Sequence, residues 1–331
     1  MNASLRGLLK ETSRSFYLTL RVLPGRVRAQ IGLAYLLART TDTIADSELI
    51  PVEQRLRALH QLRERILGLR NTLLDFTEIA GRQGDPAERL LLEKCDLSLA
   101  QLRDLSPDDL QRLREVLKTI ISGQELDLQR FASVTFGNII ALKNEAELDD
   151  YTYRVAGCVG EFWTQMCRAH LFPRAKMDEP RLLAEAVRFG KGLQLVNILR
   201  DLPADLRKGR CYLPSNEIVR HGLQPADLLQ PLNQSKFAPL YLRYLDLAGG
   251  HLAAGWNYTN TIPRSQVRVR LACAWPILIG VETLQRLRDG NVLDPTHRVK
   301  ITRADVRRII LRSILWYPMA GVWRGLGPRS S

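Results

Sequence analysis

RAQIGLAYLLARTTDTIAD, residues 28–46, is the stretch on which the fold class turns. Residues 28–40 are apolar almost all round a helical wheel, and such a helix lies inside a large helical core. The stretch closes on Asp42-Thr43-Ile44-Ala45-Asp46. Side chains four apart on a helix share a face, with Cβ atoms roughly 5–6 Å apart. Two carboxylates so placed suit a hard divalent cation such as Mg2+, which keeps several waters and is held by one or two carboxylates plus substrate phosphates. Acidic pairs of this spacing also occur on ordinary solvated helices. The apolar helix in front of this pair weighs against that reading, because carboxylates ending a buried helix need partners.

A second pair lies in KGLQLVNILRDLPADLRKGRCYLP, residues 191–214, where Asp201 and Asp205 sit among Asn197, Arg200, Arg207, Lys208 and Arg210. Carboxylates for a metal beside cations for phosphate are what a metal–diphosphate site requires. A helix C-terminus with favourable basic residues, running into a turn at Gly209, reads the same way. Pro203 disfavours helical geometry at Leu202, so a kink or helix end between the two aspartates is expected. A third element, Tyr151-Thr152-Tyr153-Arg154-Val155-Ala156-Gly157-Cys158-Val159-Gly160, places small residues at 156, 157 and 160, where another helix or a ligand can approach closely.

The remaining periodicity is helical almost throughout. Leu56, Leu59, Leu62, Ile66 and Leu69 form one stripe over 52–72, and residues 86–103 repeat the pattern. Ser106-Pro107-Asp108-Asp109 reads as a helix start, with its helix running to about Phe131. Further helices are expected over about 145–170, 180–201, 236–260, 265–287 and 302–317. Loops are expected at 81–86, 207–216 and 288–298, and a short hairpin near 133–140.

The 331 residues are 45% hydrophobic, enough for one large core. The net charge of +13 attracts anions generally. The basic residues are spread along the chain with no tract like a nucleic-acid-binding tail, so no nucleic-acid partner is expected. Cys95, Cys158, Cys167, Cys211 and Cys273 are odd in number and include no Cys-x-x-Cys, which argues against a disulfide framework or a zinc site and fits a reducing compartment. Residues 1–16 hold no apolar run like a signal peptide. No stretch approaches the roughly 20 apolar residues that span a bilayer. A cytoplasmic location is expected. Residues 307–327, RRIILRSILWYPMAGVWRGLG, mix Arg with Trp, Tyr and Leu. Such a segment either lies in a membrane interface, as a peripheral contact on the inner face, or packs against the domain.

Taken together, these elements resemble the squalene and phytoene synthase family, the head-to-head prenyl synthases. The resemblance covers roughly residues 13–290. It begins at Ser13-Arg14-Ser15-Phe16 and runs through Tyr35-Leu36-Leu37-Ala38-Arg39-Thr40-Thr41-Asp42-Thr43-Ile44-Ala45-Asp46. It resumes at Tyr151-Thr152-Tyr153-Arg154-Val155-Ala156-Gly157, Asn197-Ile198-Leu199-Arg200-Asp201 and Gly209-Arg210-Cys211-Tyr212-Leu213-Pro214. The resemblance implies one all-α prenyl-synthase domain over 1–331 with a central cavity, residues 307–331 being membrane-proximal. It implies that Asp42, Asp46, Asp201 and Asp205 bind Mg2+ and that Arg14, Arg39, Arg200 and Arg210 bind diphosphate. Tyr151, Tyr35 and Arg39 would be catalytic. Two prenyl diphosphates would combine: one ionises, and the double bond of the other attacks the allylic cation to give a cyclopropyl diphosphate.

Squalene synthases then reduce that intermediate with NADPH, whereas phytoene and dehydrosqualene synthases lose a proton. The Arg39-Thr40-Thr41-Asp42-Thr43-Ile44-Ala45-Asp46 stretch is closer to the squalene synthase form. Val299-Lys300-Ile301 resembles a basic segment that contributes to NADPH binding in squalene synthases, and Asn197 and Arg200 match further cofactor-proximal positions. Two farnesyl diphosphates as substrates, with NADPH or NADH as reductant, are therefore expected. Phytoene or dehydrosqualene synthesis is the alternative, and a non-catalytic assembly protein of the same fold the remote one. The chain departs from the pattern at Pro203 and at Ala272, where eukaryotic squalene synthases carry phenylalanine; their membrane-spanning tail also has no counterpart here. No Gly-x-Gly-x-x-Gly occurs, so a nicotinamide would bind outside a Rossmann domain.

Overall fold

A computed structural model of the chain describes residues 3–13, 16–134, 138–294 and 299–328. The architecture is all-α, as expected, with one two-stranded sheet among the described residues. The chain packs as two compact units, Met1–Ala132 with Phe162–Ala175, and Ser133–Glu161 with Lys176–Ser331.

The first unit holds α1 (Ala3–Thr12), α2 (Phe16–Val22), α3 (Gly25–Ala45), α4 (Val52–Leu67), α5 (Thr77–Gly81), α6 (Pro86–Glu93), α7 (Cys95–Ala100) and α8 (Pro107–Arg130). Helix α3 packs against α4, α6, α7 and α8, which accounts for its all-round apolar surface. Leu36, Leu37 and Ile44 are fully buried, and each stabilises the unit by roughly 1.5–3 kcal/mol relative to an exposed side chain. Helix α4 stops at Leu67 because Gly68 takes a left-handed φ of +78°. Leu69, assigned to the α4 stripe by periodicity, lies beyond the helix and is 75% exposed. The 86–103 pattern likewise breaks at Lys94 into α6 and α7, followed by a 3-10 turn over Gln101–Asp104. Helix α8 starts as the sequence indicates: Pro107 opens it, and the Asp109 amide donates to Ser106 Oγ at 3.2 Å.

The second unit holds β1 (Ile140–Leu142), α9 (Glu145–Thr152), a π-helical turn (Tyr153–Gly157), the start of α10 (Cys158–His170), α11 (Glu179–Arg207), β2 (Arg210–Pro214), α12 (Ser215–Arg220), α13 (Gln234–Thr261), α14 (Val267–Arg288), α15 (Arg303–Trp316) and α16 (Ala320–Arg324). The hairpin expected near 133–140 is replaced by something else. Residues 135–137 lie outside the described residues, and β1 pairs in parallel with β2, Ile140 against Arg210 and Ala141 against Cys211. The span 207–216, read as a loop, therefore contains a strand. The small residues of the third element serve helix packing. A Cβ on Gly160 would sit 2.1 Å from the Ala186 carbonyl oxygen, and one on Gly190 would sit 2.2 Å from that of Ala156, so only glycine lets α11 run this close.

Helix α11 is where the structure most clearly corrects the sequence reading. Pro203 does not end it; the helix continues to Arg207. Proline has no N–H, so the Leu199 carbonyl, four residues earlier, loses its helical donor. The Tyr241 hydroxyl of α13 donates to that carbonyl at 3.0 Å instead. A buried carbonyl left unpaired would cost about 1–3 kcal/mol, and Tyr241, 2% exposed, removes that cost.

Candidate functional site

The first acidic pair closes α3. Asp42 is half-buried and Asp46 exposed, one turn apart on the same helix end. Burial pushes the Asp42 carboxyl up to about 7; the charge of Asp46 adds to the rise, while Arg39 and a hydrogen bond from Gln124 oppose it. The Asp42 side chain nevertheless keeps 46% of its surface accessible. The desolvation is thus that of closely packed neighbours at a place water still reaches. Arg39 lies 3.9 Å from Asp42 and is clasped on its other side by Glu88 of α6. Burial alone would weaken its charge, but Asp42 and Glu88 outweigh burial and hold the guanidinium protonated. Tyr35 is half-buried, with its hydroxyl 3.4 Å from the Thr12 carbonyl oxygen.

The second pair lies on α11. Because the helix passes intact through Pro203, Asn197, Asp201 and Asp205 fall at four-residue steps on one stripe. Arg200 donates twice to its neighbour Asp201, Nε to Oδ1 at 2.9 Å and Nη2 to Oδ2 at 2.5 Å. This fork, with Asp205 adding to it, raises the Arg200 pKa. Gly209 turns the chain with φ +77°, and Arg210 opens β2 directly after it. Tyr151 of α9 is 9% exposed and stacks on Tyr212 of β2, with ring centroids 4.7 Å apart.

Not every expected residue is joined to these groups. Arg14 lies outside the described residues. Lys300 is exposed beyond α14, its carbonyl accepting from Arg286 Nη1 at 2.8 Å, and no contact described connects it to Asn197 or Arg200. Ala272 is 1% exposed in the middle of α14. Two residues that sequence reasoning passed over belong with the first pair. Gln124 of α8 donates its Nε2 to Asp42, and Glu88 holds Arg39. Nothing local signals them, since they reach the pair from 82 and 49 residues away in the chain.

The donor chemistry fits a hydrated Mg2+. Among the described residues no three His, Cys, Asp or Glu side chains gather as a metal cage. Two carboxylates per site are what an ion completed by water and substrate phosphate needs. Two further features agree. The carboxylates of the first pair repel one another strongly enough to help raise Asp42, and Gln124 Oε1, buried beside them, takes no donor from the described residues.

A family model described as squalene/phytoene synthase matches residues 9–305. A presqualene diphosphate synthase of Rhodopseudomonas palustris is 29% identical over 90% of this chain and 92% of its own length. A squalene synthase of Cyberlindnera jadinii is 26% identical over 92% of this chain and 66% of its own. A bifunctional lycopene cyclase/phytoene synthase of Colletotrichum graminicola is 28% identical over 86% of this chain. The chain spans 45% of that protein's length and 39% of a similar one from Arthroderma gypseum. Among solved structures, TcSQS bound to a ligand superposes with a TM-score of 0.76 at 22% identity, covering 94% of this chain and 86% of that one. A liganded dehydrosqualene synthase superposes with a TM-score of 0.66 at 23% identity, covering 96% of each. At such identities the structural likeness is one of fold.

Proposed function

This chain belongs to the squalene/phytoene synthase family, transferases that act on prenyl diphosphates, and from that premise we propose that it is a squalene synthase. Two farnesyl diphosphates condense head to head to presqualene diphosphate, which is then reduced to squalene. The observation carrying this reading is that both acidic pairs have the same helical spacing beside an arginine, the second because α11 stays helical through Pro203.

Asp42 and Asp46 would hold Mg2+ within the first unit, and Asp201 and Asp205 would do the same within the second. Mg2+ bound at either pair would supply neutralisation of the charge on a departing diphosphate. Arg39, Arg200 and Arg210, with Arg14, bind diphosphate oxygens. Arg200 already forks onto a carboxylate, and a phosphate presents the same two-oxygen target. Tyr35 and Tyr151 act at the reacting prenyl chain. The Tyr151–Tyr212 stack offers an aromatic face that stabilises a nearby cation, and its burial keeps water from that cation. Asn197, Arg200 and Lys300 would hold NADPH, which supplies hydride; their amide, guanidinium and ammonium groups suit its carboxamide and phosphates. We place the enzyme in the cytoplasm.

The test is incubation of the purified protein with farnesyl diphosphate and Mg2+, with and without NADPH, followed by mass spectrometry of the extract. Squalene formed only with NADPH is the expected result. A second reading, that the enzyme stops at presqualene diphosphate, is favoured by the relative from R. palustris, which matches along nearly the whole of both chains. It predicts the cyclopropyl diphosphate in both tubes. Dehydrosqualene in both tubes, or phytoene from geranylgeranyl diphosphate, would instead assign the carotenoid branch.

A further inference from the structure

The C-terminal segment packs Tyr317 and Trp323 inward and leaves several aliphatic residues of α15 and α16 exposed. On the inner side, Trp323 stacks on Trp256 at 5.2 Å and meets Tyr317 edge-on at 4.9 Å, while Trp275 Nε1 donates to Ser313 Oγ at 2.9 Å. The Trp323 indole donates to Asn260 at 2.8 Å, and the Tyr317 hydroxyl to the Arg264 carbonyl at 2.6 Å. Gly327 lies so close to the Trp256 ring that a Cβ would sit 2.2 Å from it. The segment is therefore a fixed part of its unit.

On the outer side, Leu311 and Leu315 are 67% and 69% exposed, with Ile314, Met319 and Val322 also open to solvent. Leu311 and Leu315 are four apart, so they share one face of α15. Single exposed aliphatics are ordinary; a group of five within twelve residues marks a docking face. Its charge selects the partner. Residues 303–328 contain five arginines and one acid, Asp305. That acid is consumed at the helix start by Thr302, Arg286 and Arg308. Arg303 and Arg307 are exposed beside the leucines, and Arg312 lies 4.5 Å over the Trp316 ring. Arginine flanking leucine, with tryptophan at the border, complements a surface of anionic headgroups over acyl chains. Among the described residues no helix is long and apolar enough to cross a membrane, so contact here lies in the plane of the surface.

We propose that the outer face of α15 and α16 docks on an anionic lipid bilayer. None of its residues is placed in the catalytic or binding machinery, so its test is independent of which product the enzyme makes. The full chain is floated with phosphatidylcholine vesicles, with and without roughly one third phosphatidylglycerol. Flotation only with the anionic vesicles, weakened by salt, is expected. Leu311→Glu with Leu315→Glu should lower the partition at least about tenfold, and Arg307→Glu with Arg312→Glu by a comparable factor. Leu232→Glu, at a leucine 91% exposed elsewhere, should change nothing. Circular dichroism checks that the variants stay folded. Wild-type protein that ignores anionic vesicles, or leucine variants that bind like wild type, would overturn the proposal. So would a wild-type dimer that the leucine variants dissociate and that shows no lipid binding, since the face would then belong to a second copy.

Discussion

The two acidic pairs share a spacing and differ in electrostatic state. At α3, Arg39 is divided between Asp42 and Glu88, and Asp42 is left so poorly compensated that burial and Asp46 push it up to about 7. At α11, Arg200 closes a two-bond fork on Asp201. The first pair behaves as a site short of positive charge, and the second carries its own cation. Mg2+ would bring the first pair the positive charge it lacks, while a diphosphate at the second would compete with Asp201 for an arginine already engaged. Equal spacings thus sit in unequal charge environments: Glu88, brought from far along the chain, shares Arg39 at the first pair, whereas Arg200 is the neighbour of Asp201 at the second.

The largest effect that would break this comparison is loss of turnover. Asp42→Asn and Asp201→Asn should each lower kcat/KM by roughly three orders of magnitude or more. Near-wild-type rates in both variants would remove the metal-site assignment altogether. A smaller effect isolates the first pair. Metal binding there requires Asp42 to lose a proton held to about pH 7, so activity should climb between pH 6 and 8. Gln124→Leu removes the hydrogen bond that lowers Asp42, and should move this acid limb upward by about half a unit. An unmoved limb would mean that another group sets the profile.

The second pair is sharpened by stability rather than pH. Tyr241→Phe strands the Leu199 carbonyl and should cost about 1–3 kcal/mol in urea unfolding. Adding Pro203→Ala restores a backbone donor to that carbonyl, so the double variant should recover most of the loss. Additive costs would show that the tyrosine hydroxyl is not serving as the missing amide. The smallest effect returns to Asp42. Folded, it keeps its proton to about pH 7; unfolded, it titrates near 3.8. Between these values the folded state binds more protons, so this group's contribution to stability falls as pH rises. The metal-free Asp42→Asn protein should therefore melt about one or two degrees above wild type at pH 8, and level with it at pH 4. The difference is small because the side chain is partly solvated.

Much of this was legible in the residues. The apolar run at 28–40 could only be a buried helix, and Ser106-Pro107 could only open one. Both aspartate pairs were singled out as candidates by their spacing and their neighbours. What escaped was what depends on distant chain. Pro203 reads as a break because Tyr241, whose hydroxyl repairs it, lies 42 residues from the carbonyl it serves. The hairpin read near 133–140 missed the strand at 140–142 because nothing local announces a parallel partner at 210–214. Leu69 continues a heptad stripe on paper, but the left-handed glycine before it ends the helix first. The C-terminal segment read equally as a packed or a lipid-facing element because its two faces do different things.

The hydroxyl that completes α11 also ties together events in folding. Until α13 docks, the last turns of α11 carry a carbonyl without a donor and a proline that opposes helix. The one-turn spacing of Asp201 and Asp205 is thereby coupled to the docking of α13 on α11.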